Sequence, residues 1–558
     1  LMYLVHPSHP GQKITRTSHT AWTITEVNFL RGPMQDPNTT TTTLTANGRT
    51  GSVTITASSS TFVSTDVGRL IKLHDGFAKI TNFSSATSVT ATVQENAEGR
   101  TELMPSYTAT TIAFFEGDPS STGLEHNDRI TDTAGNFVTE GFKVGQKVTI
   151  SGASNGGNNK STAVLLVQVT ADTILFSPSV DLVNESASAS VTINGALEAD
   201  DNFSLGAFSS TTGHPAAVTF FEQRLVFANT TAQPQTLFFS VGGSFEDFAD
   251  GIDADDALTY TIGSNQVNVI RYLTSSRVLI VGTSGGEFAV SASGAAEPLS
   301  PTNAQIKRQA NYGSANIQPI QVGNVTMFVQ RASRKVRELV YNFDSDSYQA
   351  PDLTVLAEHI TDSGITEMAF QQEPDNIVWC VLTDGRFVGM TYRREENVVG
   401  WHEHIIGGSF GSGNAVVESV AVIPGDLNED NVYLVVKRTI NGATARYIET
   451  FDFGTDVQDA FFVDSGLSYS GSAATTISGL NHLEGQSVSI LANGATHPNK
   501  TVSSGSITLD RSVTKAHIGL GFDSTLQTMR VDAGGTEGTA QGKIKRIHDI
   551  TLRLFRTV

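Results

Sequence analysis

Carboxylate side chains, which can bind cations or repel other anions, are concentrated in two short stretches of the sequence. The denser stretch contains Asp250, Asp253, Asp255 and Asp256, and the other contains Asp426, Glu429 and Asp430. A calcium loop of the EF-hand type requires Asp at alternate positions, Gly at the sixth and Glu at the twelfth. Counting from Asp253, the third position is Asp255, but the sixth is Leu258. The spacing therefore favours solvated surface turns over a metal site.

Two histidines stand close together in the run Trp401-His402-Glu403-His404. In a strand this spacing places both imidazoles on one face, where they could bind zinc. No third ligand follows nearby in the sequence, so a solvated strand edge is favoured over a metal centre. We predict no metal and no cofactor for the chain.

Several motifs for catalysis are missing from the sequence. There is no His-Glu-x-x-His pair, no phosphate-binding loop and no repeated Asp-box of the sialidase type. A glycosidase would need two carboxylates a few ångströms apart, and a sequence does not give that separation. We expect a protein that is not an enzyme, and keep a carbohydrate-active or receptor-binding propeller as the alternative.

The stretch from Thr366 to His404 contains the clearest structural pattern. It predicts four short strands separated by turn residues: Thr366–Gln371, Ile377–Leu382, Arg386–Tyr392 and Val398–His404. The second strand is apolar at consecutive positions, which predicts burial on both faces. Four antiparallel strands in about forty residues are typical of one blade of a β-propeller. One sheet of a β-sandwich is the alternative.

Related turn-and-strand segments recur along the chain. They are Arg224–Ala228, Arg277–Val281, Asn324–Val329, Asn376–Val381 and Asn431–Val436, with starts 53, 47, 52 and 55 residues apart. A period near fifty suits propeller blades with loop insertions. We predict an all-β chain with a β-propeller core, in preference to an array of sandwiches.

The length and composition of the chain limit the class of protein to which it can belong. At 558 residues the chain is too long for a single core, so several domains are expected. A net charge of −20 argues against tight binding of nucleic acid. The only cysteine, Cys380, excludes an internal disulfide, and no apolar run is long enough to span a membrane. The chain opens on Leu1 within a predicted strand, Leu1–Val5, so we expect the true N-terminus to be missing.

The remaining regions complete the predicted domain plan. Residues 1–35 contain two strands and a His- and Pro-rich loop, and residues 36–199 contain two related small β units that share a Phe, a Val-Gly turn and three strands. Residues 200–455 carry the blades, and residues 456–558 form a C-terminal β domain ending in a strand at Lys545–Phe555. The locally basic end is predicted to face an acidic neighbouring subunit; its cations are Lys543, Lys545, Arg546, Arg553 and Arg556.

Several runs resemble the tail nozzle proteins of short-tailed double-stranded DNA phages, a family also called tail tubular protein B. Those in the propeller region are Phe220–Ala228, Gln233–Thr236, Val281–Glu287, Gln371–Asp375 and Val399–His402; those in the C-terminal region are Leu480–Val488 and Ala516–Leu520. The resemblance covers roughly residues 1–35 and 200–558. Residues 36–199 correspond only to a variable insertion.

The resemblance implies a structural protein of the virion tail, assembled in the bacterial host cytoplasm. Six copies would form a ring below an adaptor protein, with tail fibre or receptor-binding proteins at its side. The insertion would form the nozzle tip and the C-terminal domain a platform against the adaptor. Genomic DNA would pass through the ring without specific binding. The net charge of −20 permits an acidic wall that repels the DNA, and outward, solvated turns are the alternative for the acidic stretches. The candidate channel-lining residues are Asp250, Asp253, Asp255, Asp256, Asp426, Glu429 and Asp430.

Overall fold

The computed structural model of the chain describes residues 1–96, 99–118, 120, 126–264, 267–294, 297–344, 347–425, 429–451, 461–528, 544 and 546–551. Within these ranges the chain forms antiparallel sheets, with 3-10 turns at Ser64–Asp66, Gly156–Asn158 and Asn481–Leu483 and no α-helix. The prediction of an all-β fold is confirmed. The chain divides into two compact units, residues 1–308 and 309–558, which are described separately below.

The first unit begins with a three-stranded sheet. Its strands are β1 (Met2–His6), β2 (His9–Ser18) and β3 (Ala21–Glu26). The loop predicted around His6 and His9 is in part a strand, because these two residues pair across a tight turn and the hairpin continues into β2. Tyr3, on the inner face of the sheet, packs edge-on against Phe220 of the first blade.

Two sheets occupy the region predicted as an insertion. Their strands are β4 (Leu44–Ala46), β5 (Ser52–Ala57), β6 (Leu70–Leu73), β7 (Gly76–Ser85), β8 (Ser88–Gln94), β9 (Ser106–Ala109), β10 (Ile112–Phe115), β11 (Arg129–Asp132), β12 (Lys147–Ser151), β13 (Lys160–Val169), β14 (Thr173–Phe176), β15 (Val191–Gly195) and β16 (Phe203–Leu205). One sheet has the order β16-β6-β7-β8-β5-β4 and the other β10-β11-β14-β13-β12-β15-β9. Each sheet has its own buried apolar cluster.

Both inserted sheets contain the same turn before a three-strand meander. In the first, the Gly68 amide donates to the Ile80 carbonyl at 2.8 Å, and in the second the Gly145 amide donates to Leu166 at 2.9 Å. The two glycines have φ of +92° and +91°, a conformation that side chains with a Cβ rarely adopt. The shared Val-Gly pattern of the sequence thus corresponds to one repeated backbone turn.

The chain enters and leaves the insertion at neighbouring positions. The Gln35 amide donates to Leu205 at 2.8 Å, and the Asn38 amide donates to Phe203 at 2.8 Å. The buried Arg69 side chain ties this junction together by donating to the Gly206 carbonyl at 2.8 Å and to Gln35 Oε1 at 2.5 Å.

The first unit ends with two four-stranded sheets, which have the strand number and order of propeller blades. Blade 1 comprises β17 (Ala217–Phe221), β18 (Arg224–Ala228), β19 (Thr236–Phe239) and β20 (Leu258–Thr261). Blade 2 comprises β21 (Ile270–Ser275), β22 (Leu279–Thr283), β23 (Gly286–Ala292) and β24 (Ala304–Ala310). Val226 and Ala228 face the core shared by the two blades, whereas Leu225 and Phe227 face a cluster on the N-terminal side.

The second unit continues the series of sheets. Blade 3 comprises β25 (Ile320–Val322), β26 (Val325–Val329), β27 (Val336–Asn342) and β28 (Ser347–Gln349); blade 4 comprises β29 (Ile365–Gln371), β30 (Ile377–Leu382), β31 (Phe387–Arg393) and β32 (Val398–His404). A short hairpin, β33 (Ser409–Phe410) and β34 (Gly413–Asn414), precedes the three-stranded blade 5 of β35 (Val416–Pro424), β36 (Asp430–Ile440) and β37 (Ala443–Thr450).

The packing of blade 4 explains why its second strand, β30, is apolar throughout. Val378, Cys380 and Leu382 pack into the core shared with blade 3, whereas Trp379 and Val381 pack into the core shared with blade 5. A strand with a neighbouring sheet on each face cannot alternate apolar and polar residues. The blade pattern predicted from Thr366 to His404 is confirmed, with strand ends within one residue of the structure.

The C-terminal sheet has the order β38-β41-β39-β40. Its strands are β38 (Asp464–Ser478), β39 (Ser487–Ala492), β40 (Ala495–Thr501) and β41 (Ser506–Leu520). The final strand predicted at Lys545–Phe555 falls partly outside the described residues, and residues 546–551 form no strand.

A buried arginine joins blade 5 to the C-terminal sheet. Arg438 of β36 is fully buried, donates from Nε to the Gly407 carbonyl at 2.7 Å and pairs with the Glu449 carboxylate through both terminal nitrogens. The Gly407 amide in turn donates to Asp464 Oδ2 of β38 at 2.6 Å. Burial raises the pKa of Asp464 above its usual value, although the Gly407 amide and Arg438 oppose that shift.

We expect Arg438→Met to destabilise the protein by about 3 kcal/mol, because the partly buried Glu449 carboxylate and the buried Gly407 carbonyl would both lose their partner. Urea unfolding of the full chain, followed by tryptophan fluorescence, measures this loss. Arg446→Met is the matched control, since Arg446 lies on the adjacent strand β37 and pairs with Glu418 at 2.6 Å in an exposed setting. That control should change stability by no more than about 1 kcal/mol. If the two variants lost the same free energy of unfolding, Arg438 would have no special role in joining blade 5 to the C-terminal sheet.

Candidate functional site

The acidic segment between β19 and β20 is organised around a buried arginine. Arg224, at the start of β18, points its guanidinium into the segment that spans residues 247–257, which we call the acidic loop. Its terminal nitrogens donate to the carbonyls of Asp256 at 2.6 Å and Ala254 at 2.7 Å, and to the Ser240 carbonyl at 2.7 Å. Burial lowers the pKa of Arg224, an effect opposed by Asp255, Glu222 and Asp256. The loop therefore turns its carbonyls inward.

The carboxylates of the acidic loop have unequal roles. Asp253 and Asp255 are exposed, and Asp250 is exposed but pairs with Lys72 at 3.1 Å. Asp256 instead accepts a hydrogen bond from the Asp253 amide at 2.9 Å and lies so close to Gly251 that a Cβ there would collide with it. Four of the aspartates predicted to line a channel lie in this loop. Of these four, Asp253 and Asp255 have exposed carboxylates that make none of the contacts just described.

A fifth aspartate, which sequence reasoning missed, anchors the loop at its start. Asp247 is buried and forms a two-pronged ion pair with Arg31, whose Nε donates to Asp247 Oδ1 at 2.9 Å. Arg31 also donates to the Asn96 carbonyl at 3.0 Å, so it links the acidic loop to the inserted sheet. In the sequence, the run Arg31-Gly32-Pro33 is typical of the end of a strand and gives no sign of this ion pair.

The second acidic stretch lies in the other compact unit, at the start of β36. Asp426 falls outside the described residues, and Glu429 is exposed. Asp430 has a structural role, because its Oδ2 accepts from the amides of Gln372 at 2.7 Å and Glu373 at 3.2 Å. Its carboxylate thereby connects blade 5 to the turn between β29 and β30.

The histidine pair lies on β32, the edge strand of blade 4, but it is partly buried and not solvated as predicted. His402 Nδ1 and His404 Nε2 are 2.7 Å apart, so one ring donates to the other. Burial and the neighbouring His402 lower the pKa of His404 to about 4, and burial also lowers that of His402. Trp379 packs edge-on against His404 at 5.0 Å between ring centroids. The two rings form part of an aromatic cluster between blades.

Among the described residues, no three side chains of His, Cys, Asp or Glu lie close enough together to hold a metal ion. Cys380 is buried, and burial raises its thiol pKa to about 12. Of the C-terminal cations, Arg546 is exposed, whereas Lys543, Lys545, Arg553 and Arg556 fall outside the described residues. Across the parts of the chain that the structure covers, no helical segment has the length and hydropathy of a membrane span.

Comparisons with known proteins give only distant similarities. No family model and no curated protein sequence matches the chain. Similar solved structures include an auxiliary nutrient binding protein from Bacteroides thetaiotaomicron, which is 8% identical over 85% of this chain and 95% of that chain, with a TM-score of 0.25. A protein from Lactobacillus plantarum is 10% identical over 67% of this chain and 99% of that one, with a TM-score of 0.27.

The endosialidase of phage phi92 is also similar, with 10% identity over 97% of this chain and 83% of that chain and a TM-score of 0.19. At such identities and TM-scores these similarities carry no argument about function. The geometry of the site must therefore support any functional conclusion.

We predict that the stability of the wild-type protein falls by about 2 kcal/mol between about pH 7 and about pH 5 through His404 alone. In the unfolded chain His404 takes up a proton below its usual pKa of 6.5, whereas in the folded protein it stays neutral until about pH 4. The unfolded state therefore binds more protons in this window, and stability is lost as the pH falls. Urea unfolding at the two pH values measures the difference.

His404→Phe should remove most of this pH dependence, because a phenyl ring keeps the aromatic packing and cannot be protonated. The control is His359→Phe, which changes an exposed histidine of the same compact unit. If His404→Phe leaves the pH dependence unchanged, the buried histidine pair does not cause it.

Proposed function

We propose that this chain is a structural subunit of the tail of a short-tailed double-stranded DNA phage, a nozzle protein of the tail tubular protein B type. Six copies form a ring that extends the DNA ejection channel below the adaptor protein. Tail fibre or receptor-binding proteins bind at its side, and the genome passes through without sequence-specific contacts. The proposal includes no catalytic step, metal or cofactor, and it gives the protein a place in the virion.

The observation that carries this proposal is the position, within the fold, of the sequence runs that resemble tail nozzle proteins. The run Phe220–Ala228 spans the β17–β18 turn, in which Glu222 and Gln223 adopt positive φ. Glu222 Oε2 accepts from the Leu299 amide at 2.6 Å, and Arg224 binds three carbonyls. The run Gln371–Asp375 supplies the two amides that Asp430 binds. These contacts support the scaffold and do not form a reactive centre. Shared residues of this kind are expected in a family of structural proteins.

An exposed apolar strand is consistent with assembly into a ring. β3 is the edge strand of the N-terminal sheet, and Trp22 and Ile24 are 57% and 65% exposed on one of its faces. The exposed Glu26 ends the same strand, and Lys13 of β2 pairs with Glu246, so this surface is apolar with charges of both signs. Exposed apolar side chains on an unpaired edge strand suit contact with a second copy.

The assembly is tested by counting copies in the tail. We expect a reconstruction of purified phage particles that carry a tagged version of this chain to show six tagged subunits in one ring below the adaptor. Symmetry other than sixfold, or the tag at fibre positions, would contradict the proposal. The purified chain alone is a poor substitute, because ring contacts can depend on the adaptor.

The channel role of the acidic loop is tested by Asp253→Lys combined with Asp255→Lys. We expect DNA ejection to slow, because lysines in the wall would bind phosphates and release counterions. Asp256 is left intact because its carboxylate holds the loop backbone. Ejection is followed by the fluorescence of a DNA dye, in particles whose subunit count is unchanged.

Glu395→Lys combined with Glu396→Lys is the control for the same change in charge, since both glutamates are exposed in the β31–β32 turn. The control should eject DNA at the wild-type rate. Wild-type ejection by the Asp253 and Asp255 variant would show that the acidic loop does not line the channel.

A further inference from the structure

Blade 5 differs from the other blades in its number of strands. Blades 1 to 4 each contain four strands, whereas blade 5 contains β35, β36 and β37 among the described residues. The last of these, β37, pairs with β36 along one edge, and no described strand pairs with its other edge. An unpaired strand edge offers backbone donors and acceptors to a further strand. The outer edge of β37 is therefore a place where a fourth strand can be added.

The side chains of β37 alternate between a covered face and an open face. Tyr447 and Glu449 are half-buried on the first face. Arg446, Ile448 and Thr450 are exposed on the second, and the exposed fraction of Ile448 is 76%. Covering such an isoleucine removes apolar surface from water, which stabilises a contact. The open edge thus carries an apolar side chain next to a cation.

Strand β3 has features that complement those of β37. It is the outer strand of the N-terminal sheet, it pairs with β2 along one edge, and all six of its residues are exposed. Trp22, Ile24 and Glu26 share one face, because alternate residues of a strand point to the same side. This strand therefore combines an unpaired edge with apolar side chains and a carboxylate on a single face.

One antiparallel register matches the two edges. It sets Ile24 opposite Ile448 and Glu26 opposite Arg446. The two exposed isoleucines then cover each other and the opposite charges attract, and cross-strand pairs of both kinds stabilise a sheet. A shift by two residues loses both pairs, because Ile24 then faces Arg446 or Glu26 faces Ile448. A shift by one residue puts the two apolar side chains on opposite faces of the sheet.

We propose that β3 of one copy adds to β37 of the next copy and becomes the fourth strand of its blade 5. This inference rests on the proposed function, because it identifies the contact between neighbouring subunits of the ring. The contact joins two different surfaces of the chain, so each copy still has one edge to offer to a further copy. Contacts of this head-to-tail kind can close into a ring, whereas a contact between two β3 edges would end at a dimer.

Cysteine cross-linking of assembled tail particles tests the contact. Ile24→Cys combined with Ile448→Cys places two thiols directly opposite each other, with Cα atoms about 4.5–5.5 Å apart, a separation that a disulfide spans. Both isoleucines are exposed, so the changes leave the cores intact, and the native Cys380 is buried. After treatment with a mild thiol oxidant and denaturation, we expect a ladder of covalent oligomers that ends at six subunits. A reducing agent should return the ladder to monomer.

Matched variants control for chance cross-linking. Ile24→Cys alone and Ile448→Cys alone should remain monomeric. Ile24→Cys combined with Thr444→Cys should also form no ladder, because in the proposed register these positions are about 13 Å apart. Trp22→Cys combined with Thr450→Cys is a second pair of opposite positions and should give the same ladder as the first.

The other outcomes separate the strand contact from the ring. A dimer from Ile24→Cys alone would show that two β3 edges meet, and a disulfide within one chain of the double variant would show that β3 pairs inside its own copy. Either result overturns the proposal. If neither opposite pair gives a ladder in particles whose reconstruction shows six subunits, the strand contact is wrong and the proposed ring stands. A ladder that ends at another number supports the strand contact and contradicts the sixfold ring.

Discussion

Buried guanidinium groups that bind backbone carbonyls hold the junctions of this protein together. Arg69 connects the two ends of the insertion, Arg224 shapes the acidic loop, and Arg438 joins blade 5 to the C-terminal sheet. A planar fork of five donors suits this task better than the single ammonium of lysine. With one cysteine in the chain, no internal disulfide can replace these contacts. Each junction therefore depends on a charge that is costly to bury and more costly to leave unpaired.

The blades were predictable because their signal is local. Each of the five repeated segments overlaps the second strand of a sheet, and those strands start 46 to 55 residues apart. A run of consecutive apolar residues, such as Ile377–Leu382, is enough by itself to predict a strand that is buried on both faces. The β1–β2 hairpin was not predicted, because a proline such as Pro10 is unusual in a paired strand. A two-residue turn nevertheless allows His6 and His9 to pair.

The candidate site was less predictable, because its geometry depends on residues far apart in the sequence. The acidic stretches stand out in the sequence, but the sequence does not show that Asp430 holds a distant turn or that Asp256 supports its own loop. Sequence patterns predict which residues face a core, and they do not give the partners of individual polar atoms.

The repeated turn has a third copy, in the C-terminal sheet. The Gly485 amide donates to the Val502 carbonyl at 3.0 Å, and the Val502 amide donates back to Gln486 at 3.0 Å. Gly68 with Ile80 and Gly145 with Leu166 form the same reciprocal pattern. The sequence analysis predicted two related units. The pattern Gly-Gln-x-Val-x-Ile, which begins at position 145 and again at position 485, identifies the third copy of the turn. The same turn thus recurs in the two inserted sheets and in the C-terminal sheet, although the strands that follow it pair in a different order in the last.

The insertion leaves the scaffold and returns to it through hydrogen-bonded neighbours, Gln35 with Leu205 and Asn38 with Phe203. A segment attached in this way acts as a cassette, since its two attachment points keep their spacing whatever lies between them. Recombination between related genomes could exchange everything between those points without moving a blade. Evolution can then change the insertion rapidly, while the scaffold to which it is attached stays constant.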